Sequence, residues 1–338
     1  MVWAHTGLTD KVFAYKPIDP PLQEIEPPKD RAFFADPEKK ALLSAATKVK
    51  HLTPYIGTEL QGIQLSKLDE KQKDELALLI AERGVVFFRD QDLTIEGQYE
   101  LTKHYGIVCL RPNVFHCRYH DIRSFEHTSS AFAEFHSDHS FEINPPSYTM
   151  LRMVKTPEYG GDTIFASQTA LFDKLSPTFQ KTFEGLHGVH SSEHVFINSI
   201  NGGATTFRLP VRREHPLVRT HPVTGQKALF YNPAFVIHIA ELKGHEALHT
   251  LNFLRDHLHS ADDLSMRWHW EAGSVAFWDN RVVAHRAIPG GYNTEEREGK
   301  RTAVFGERPF YDSDAKVLAG GGGGVAERGV VKQGLDGF

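Results

Sequence analysis

The chain has 338 residues, 40% of them hydrophobic and 24% charged, a composition typical of a globular protein with a substantial core. Its formal net charge of -5 argues against nucleic acid as a partner, because nucleic-acid-binding domains usually carry a basic surface. The sequence has no apolar run as long as a membrane span and no signal-peptide pattern, and its two cysteines, Cys109 and Cys117, are too few for a disulfide framework. We therefore predict a cytoplasmic protein that binds neither nucleic acid nor membrane.

The first part of the chain combines an irregular segment with clear local signals. Residues 1–50 are rich in proline and charge, which predicts an extended N-terminal arm. Apolar residues at helical spacing predict a helix from Leu68 to Glu82, and Val85 to Phe88 predict a short buried strand. Thr94 is the predicted N-cap of a second helix, which ends before Gly106.

From about Ser147 onward the sequence changes to short β-rich runs separated by glycine, proline and asparagine. Examples of these runs are Tyr148 to Leu151, Thr163 to Ala166, Ala228 to Tyr231 and Ser274 to Trp278. An amphipathic helix is predicted from about Glu241 to His257, with Leu248, Leu251, Leu254 and Leu258 along one side. This pattern predicts a mainly β jelly roll with flanking helices over residues 51–315, followed by a flexible glycine-rich tail over 316–338.

Histidine is unusually frequent, with 20 residues, and one pair suggests a metal site. His136 and Asp138 lie two residues apart, so in a strand both side chains would point to the same face. His285 follows the predicted strand that ends near Ala284. Two histidines and one carboxylate are typical ligands of non-haem iron(II) and leave positions open for other molecules, whereas structural zinc usually needs four protein ligands.

Two further segments fit a co-substrate that is a dicarboxylate. The first is Gly160-Gly161-Asp162-Thr163, and the second is a basic cluster that contains Arg297, Lys300 and Arg301. A molecule that chelates iron at one end needs an anchor for its far carboxylate, which a buried arginine and a threonine hydroxyl can supply. A tight turn between strands and a charged, solvated strand face are the alternative interpretations of the two segments.

The motifs form a recognisable series along the chain. In order they are His136-x-Asp138, Pro157 to Thr163, Trp278 to Arg281, His285, and Arg297 with Arg301. From about residue 55 to 312 this series resembles the taurine and sulfonate dioxygenase family of iron(II)- and 2-oxoglutarate-dependent enzymes.

The resemblance implies a double-stranded β-helix core and a role for each matching residue. It implies iron(II) on His136, Asp138 and His285, and 2-oxoglutarate on Thr163 and Arg297, with O2 as the other co-substrate. Trp278 would pack near the metal, Arg301 would meet the anionic group of the substrate, and Phe235 would line the substrate pocket. His139 is predicted to lie next to the ligands, and His116 to touch the substrate. Phe132 stands where the taurine-type pocket has an asparagine, which favours a more apolar anion than taurine.

These expectations define a function. We predict oxidation of a C–H bond in a small anionic substrate, which could be a sulfonate, a sulfate ester or a carboxylate such as an amino acid, with succinate and CO2 as co-products. Desaturation or cyclisation of an amino acid in a biosynthetic pathway is the alternative within the same enzyme class. The family also favours a homo-oligomer.

A second histidine motif predicts a different class of enzyme. His245-Glu246-Ala247-Leu248-His249 matches the H-E-x-x-H pattern of zinc hydrolases. The leucine stripe of its helix, however, places both histidines on the solvent side, and no third ligand follows at a recognised spacing. A binding protein without activity is a further alternative, against which the complete ligand set argues. His187, His190 and His194 have no carboxylate at a suitable offset and are assigned to no site.

Overall fold

The structure, a computed structural model, describes residues 19–109, 134–201, 208–288 and 297–318. About 30% of this part is helix and 27% is strand, so the prediction of a mainly β chain understated the helices. No described helix is long and apolar enough to cross a membrane. The tail beyond residue 318 lies outside the described residues.

The elements alternate along the described ranges. The α-helices are α1 (Lys40–Ala45), α2 (Glu70–Arg83), α3 (Ile95–Tyr105), α4 (Gln168–Asp173), α5 (Pro177–Phe183), α6 (Glu193–Asn201) and α7 (Gly244–His259). The strands are β1 (Lys48–His51), β2 (Thr58–Gln61), β3 (Val85–Phe88), β4 (Pro146–Lys155), β5 (Thr163–Ser167), β6 (His187–Ser191), β7 (Arg212–Pro216), β8 (Val218–Thr220), β9 (Lys227–Leu229), β10 (Val236–Ile239), β11 (Ser265–Trp268), β12 (Val275–Asp279), β13 (Val283–Ala287) and β14 (Glu298–Phe305). Short 3-10 helices occur at Arg31–Phe34, Leu65–Lys67 and Asp262–Leu264.

The local signals of the N-terminal part correctly predicted α2, β3 and α3. Helix α2 begins with a capping box, because the Asp69 carboxylate accepts the Gln72 N–H and the Gln72 side chain accepts the Asp69 N–H. The helix ends at Gly84, whose φ of 73° favours glycine. The Thr94 hydroxyl accepts the N–H of Gly97 at 3.0 Å and caps α3 as expected.

The predicted arm contains regular structure in its second half. Residues 19–30 have no helix or strand, whereas a 3-10 helix, α1 and β1 lie between residues 31 and 51. The division of the chain into arm, domain and tail stays a prediction.

Two sheets face each other at the centre of the molecule. The first has the strand order β1-β2-β3-β12-β4-β14, and the second has the order β11-β5-β13. On the inner face of the first sheet, the Phe87 ring stacks 4.0 Å from Trp268 and lies 5.4 Å from Phe165, both of the second sheet. Because strand side chains alternate, Val86 and Phe88 point outward.

Helices cover both outer faces. Leu76 of α2 joins Val86 and Phe88 in one buried cluster, and Leu254 of α7 joins Ala284 of β13 in another. The order of layers is therefore helix, sheet, sheet, helix. Two smaller sheets, β10-β6-β7 and β8-β9, complete the described structure.

Helix α7 corresponds to the predicted amphipathic helix with one correction. Its buried face is formed by Ala247, Leu254 and Leu258, whereas Leu248 is 53% exposed. The prediction that Leu248 lies on the buried face was wrong. Ala247 lies on that face, and Leu248, the next residue of the helix, is rotated by about 100° away from it.

Candidate active site

His136 and His285 are brought together by backbone pairing. The His136 N–H donates to the His285 carbonyl at 3.0 Å, and the His285 N–H donates to the His136 carbonyl at 2.8 Å. The two rings lie 4.5 Å apart. His285 lies within β13 rather than past the end of a strand, and its side chain points between the two sheets toward Trp278, 4.8 Å away.

The strand expected around Asp138 is absent. His136 forms an isolated bridge, and Asp138 lies in the turn that follows it. Strand alternation therefore does not explain why Asp138 and His136 point the same way, and that prediction was wrong. Contacts from the side chains of neighbouring strands hold the carboxylate instead.

His136, Asp138 and His285 form a potential metal site. Each offers one ligand atom, and these atoms all lie within 4.8 Å of one another. No other group of three or more histidine, cysteine, aspartate or glutamate side chains meets this condition within the part of the chain that the structure describes. Two imidazoles and one carboxylate fit a non-haem iron(II) ion with open coordination positions.

The protonation of the two imidazoles also suits a metal. The Nδ1 atom of His136 lies 3.0 Å from the carbonyl oxygen of Glu134, which can only accept, so Nδ1 carries the hydrogen and Nε2 keeps its lone pair. Burial lowers the pKa of His136. Burial, reinforced by repulsion from His136 when that ring is protonated, lowers the pKa of His285 to about 3. Both rings are therefore neutral near pH 7, as metal ligands must be.

The Asp138 carboxylate is ionised and held at both oxygens. The Thr149 hydroxyl donates to its Oδ2 atom at 2.9 Å, and Arg301 Nη1 donates to its Oδ1 atom at 2.6 Å. Burial is the largest single influence and would raise the pKa of Asp138, but the charges of Arg301 and of the nearby histidines together outweigh it, so the pKa lies well below its usual value.

Asn280 connects the carboxylate to the strands behind it. Its Oδ1 atom accepts the backbone N–H of Asp138 and the indole N–H of Trp278, both at 3.0 Å. Its Nδ2 atom donates to the Thr149 hydroxyl at 2.8 Å. One side chain thus fixes Asp138, Thr149 and Trp278 relative to one another.

No role was predicted for Thr149 or Asn280. Asn280 lies in the turn directly after β12, where no local pattern indicated that its side chain would reach Asp138. Thr149 pairs with Trp278 in the register of β4 and β12, and this register cannot be read from the sequence.

Arg297 and Thr163 lie on the two segments predicted to bind a dicarboxylate. Arg297 is 4% exposed, and its Nε atom donates to the carbonyl of Gly161, two residues before Thr163, at 3.1 Å. Gly161 has a φ of 69°, and a Cβ atom added to it would meet the Arg297 side chain at 3.1 Å. The turn therefore depends on glycine at this position. The Thr163 hydroxyl accepts the Trp270 indole N–H at 2.9 Å, so its own hydrogen is left to donate.

An apolar wall lies beside His136. The Phe235 ring is 5.7 Å from His136 and 5.1 Å from Phe141, and these two phenylalanines form a buried cluster with Val211. The His194 ring, from α6, lies 5.2 Å from Phe235. Burial, and then the charge of His136, lowers the pKa of His194. The structure brings His194 close to the site, although it was assigned to none because no carboxylate lies at a suitable offset in the sequence.

His139 lies at the same wall, directly after Asp138. Its φ of 45° is uncommon for a residue other than glycine, and its ring is 5.3 Å from Phe141. Burial, reinforced by the charge of Arg301, lowers the pKa of His139 to about 3, so this ring is neutral. The other residues predicted to contact the substrate, His116 and Phe132, lie outside the described residues.

Two buried histidines hold the segment that carries the ligands. The Nδ1 atom of His190 is 2.8 Å from the Ser140 hydroxyl, and the Nε2 atom of His215 donates to the Glu142 carbonyl at 2.9 Å. Both histidines belong to the small sheet β10-β6-β7. They therefore position the turn after Asp138 without facing the metal site.

The H-E-x-x-H motif is not assembled into a metal site. His245, Glu246 and His249 are exposed on α7, and the Glu246 carboxylate accepts the backbone N–H of Lys243 at the start of the helix. Among the described residues no third ligand joins the two histidines. Glu246 acts as a helix-capping residue.

Comparison with known proteins places these features in a family. Residues 48–303 match the family model described as Taurine catabolism dioxygenase TauD, TfdA family. The chain is 40% identical to an alpha-ketoglutarate-dependent sulfonate dioxygenase of Saccharomyces cerevisiae, over 78% of this chain and 68% of that protein. It is 30% identical to an alpha-ketoglutarate-dependent sulfate ester dioxygenase of Pseudomonas putida, over 75% of this chain and 88% of that protein. A crystal structure of a taurine dioxygenase from Burkholderia xenovorans aligns with a TM-score of 0.66 and 31% identity, over 80% of this chain and 94% of that one.

Proposed function

Since the chain belongs to the taurine catabolism dioxygenase TauD, TfdA family of 2-oxoglutarate-dependent enzymes, we propose that it uses iron(II), 2-oxoglutarate and O2 to oxidise a C–H bond of a small anionic substrate. The observation that carries the proposal is the grouping of His136, Asp138 and His285, with two neutral imidazoles and one ionised carboxylate. When bound, iron and 2-oxoglutarate supply the oxidising power, because decarboxylation of 2-oxoglutarate to succinate and CO2 is coupled to oxidation of the substrate by O2.

The ligands' surroundings support iron at this site. Thr149 and Asn280 fix the carboxylate of Asp138, and the Glu134 carbonyl fixes the tautomer of His136. Partners of this kind orient metal ligands in many metalloproteins.

We assign the far carboxylate of 2-oxoglutarate to Arg297 and Thr163. A buried guanidinium can donate two parallel hydrogen bonds to a carboxylate, and the Thr163 hydroxyl has a hydrogen left to donate. The Nε atom of Arg297 is oriented by the Gly161 carbonyl, which favours one direction of the guanidinium.

Arg301 is assigned to the anionic group of the substrate. It lies within hydrogen-bond distance of Asp138, so an anion on Arg301 would be held close to the metal ligands. Phe235 and Phe141 offer an apolar wall for the rest of the substrate. The relatives named for sulfonate and sulfate ester substrates support an anion of that chemistry. Together these points favour a sulfonate or sulfate ester with an apolar body.

The two facing sheets are assigned to a double-stranded β-helix that forms one domain over residues 51–315. The supporting observations are the pairing of the sheets through Phe87 and Trp268 and the similarity to the taurine dioxygenase structure. In this arrangement the proposed metal ligand His285 lies on β13 of the second sheet, and His136 pairs with it.

The test is anaerobic addition of iron(II) and 2-oxoglutarate to metal-stripped protein, followed by the weak visible absorption band of the chelate. We expect the band in the wild type and in the control His245→Ala, which alters the H-E-x-x-H motif. His136→Ala should abolish it, and Arg297→Ala should raise the 2-oxoglutarate concentration that it requires.

Loss of the band in His245→Ala but not in His136→Ala would refute the proposed metal site. If the band behaves as expected, succinate release with O2 present can be compared among alkanesulfonates, alkyl sulfates and amino acids. Release with amino acids alone would contradict the assigned substrate class and leave the reaction class intact.

A further inference from the structure

Arg301 contacts the same oxygen of Asp138 that faces the other metal ligands. Arg301 Nη1 lies 2.6 Å from Asp138 Oδ1, and the Nε2 atom of His285 lies 4.0 Å from that oxygen. The second oxygen, Oδ2, accepts the Thr149 hydroxyl. A metal ion between the histidines and Asp138 would therefore share Oδ1 with the guanidinium.

Two cations at one carboxylate oxygen oppose each other. A guanidinium is always charged, and the repulsion between charges is stronger in a partly buried site than in water. Asp138 cannot easily move away, because Thr149 and Asn280 hold it and its side chain is only 2% exposed. The Arg301 side chain is 22% exposed and has a long, flexible stem, so it is the partner that can move.

We propose that Arg301 competes with the metal ion for Asp138, and that an anionic substrate relieves this competition by drawing the guanidinium to itself. The inference rests on the proposed function, because it takes Arg301 as the anion-binding residue. Metal and anion then bind with positive cooperativity. By thermodynamic linkage each raises the affinity of the other by the same factor.

The contact with Asp138 sets the size of the expected effect. A hydrogen bond between ionised partners contributes about 1.5–3 kcal/mol, and the metal must overcome this contact to bind Asp138. Removing the contact should therefore tighten metal binding by about tenfold to a hundredfold. Lys300, the preceding residue, carries the same charge but pairs with Glu298 at 2.7 Å. Lys300→Gln is therefore a matched control for loss of one positive charge on the same strand.

The experiment titrates metal-stripped protein with Mn(II), with free Mn(II) followed by its electron paramagnetic resonance signal. No 2-oxoglutarate is present, and each titration is repeated with excess 1-butanesulfonate. In the wild type the sulfonate should lower the Kd of Mn(II) by about tenfold or more. Arg301→Gln should bind Mn(II) about tenfold to a hundredfold more tightly without sulfonate and should no longer respond to it. Arg301→Met should behave likewise, and Lys300→Gln should match the wild type.

The inference is overturned if Arg301→Gln and the wild type have the same Kd for Mn(II), or if butanesulfonate leaves the wild-type Kd unchanged. An equal gain in affinity in Lys300→Gln would also overturn it, because long-range charge would then account for the effect. His136→Ala separates these results from failure of the proposed function. If His136→Ala also binds Mn(II) normally, the proposed metal site is wrong. If His136→Ala loses Mn(II) binding, the metal site stands, and only the competition between Arg301 and the metal is refuted.

Discussion

Asp138 is positioned by residues that are distant in the sequence. It lies in a turn outside the helices and strands, where Thr149 holds its carboxylate and Asn280 holds its backbone N–H. The three candidate ligands could be selected from residue type and order in the sequence, and the structure brings them together. The supporting residues could not, because their roles depend on the register between β4 and β12.

Loss of the Thr149 hydroxyl should weaken metal binding. Thr149→Val keeps the shape of the side chain but removes the hydrogen bonds to Asp138 Oδ2 and from Asn280. We expect the Kd for Mn(II) to rise by about tenfold or more, as for other partners that orient metal ligands. Thr149→Ser keeps the hydroxyl and should stay close to the wild type. Equal affinities in both variants would argue against a role for this hydrogen bond.

The glycine beside Arg297 should control the affinity for 2-oxoglutarate. In Gly161→Ala the φ of 69° is unfavourable for the alanine backbone. The new Cβ atom also meets the Arg297 side chain at 3.1 Å, so the guanidinium must shift. We expect the KM for 2-oxoglutarate to rise several-fold, while the Kd for Mn(II) is unchanged. The control is Gly185→Ala, because a Cβ atom there has no neighbour within 4 Å. An unchanged KM in Gly161→Ala would argue against Arg297 as the residue that binds 2-oxoglutarate.

At the scale of elements, helix α3 fixes the strand that carries Arg301. The Gln98 side chain donates to the carbonyls of Met150 on β4 and Lys300 on β14 and to the hydroxyl of Thr302. Helix α3 could be predicted from its cap and its final glycine. Its attachment to β14 could not, because about 200 residues separate the partners and no local pattern records such a contact.

Removing the Gln98 amide should destabilise this junction. Gln98→Met keeps the length of the side chain but removes the amide that donates to the Met150 and Lys300 carbonyls, while the Thr302 hydroxyl keeps its hydrogen bond to Thr102. The free energy of unfolding should fall by about 1–3 kcal/mol, as for other buried groups that lose a hydrogen bond. Urea denaturation measures this change, and substrate KM should rise because Arg301 loses support. A stable variant with normal KM would contradict the proposed coupling.

For the molecule as a whole, burial of histidine links stability to pH. The pKa values of His139, His190, His215 and His285 are lowered, in each case first by burial. Below about pH 6.5 the unfolded chain binds protons at these residues, whereas in the folded protein each ring stays neutral until the pH falls to its lowered pKa. Their contribution to stability is therefore complete above that pH and is lost as the pH falls. The number of histidines was evident from the sequence, but their burial depends on the packing of distant strands.

His215→Gln should make stability less sensitive to acid. Burial, offset in part by the hydrogen bond to Glu142, lowers the pKa of His215 to about 4, so the effect falls between about pH 6.5 and pH 4. Urea unfolding of metal-stripped protein across this range should show a slope that is shallower by on the order of 1 kcal/mol per pH unit. Glutamine can still donate to the Glu142 carbonyl. Parallel curves for variant and wild type would show that His215 does not carry this dependence.

The backbone pairing of His136 with His285 gives the proposed metal ion a second role. About 150 residues separate the two histidines, so an ion bound to both acts as a cross-link that closes a very long loop. An ion that binds only the folded chain adds about 2.7 kcal/mol of stability when its free concentration is a hundred times the Kd. Addition of a chelator should therefore lower the Tm of the wild type and leave that of His136→Ala unchanged. Iron supply would then set the fraction of the protein that is folded as well as the rate of catalysis.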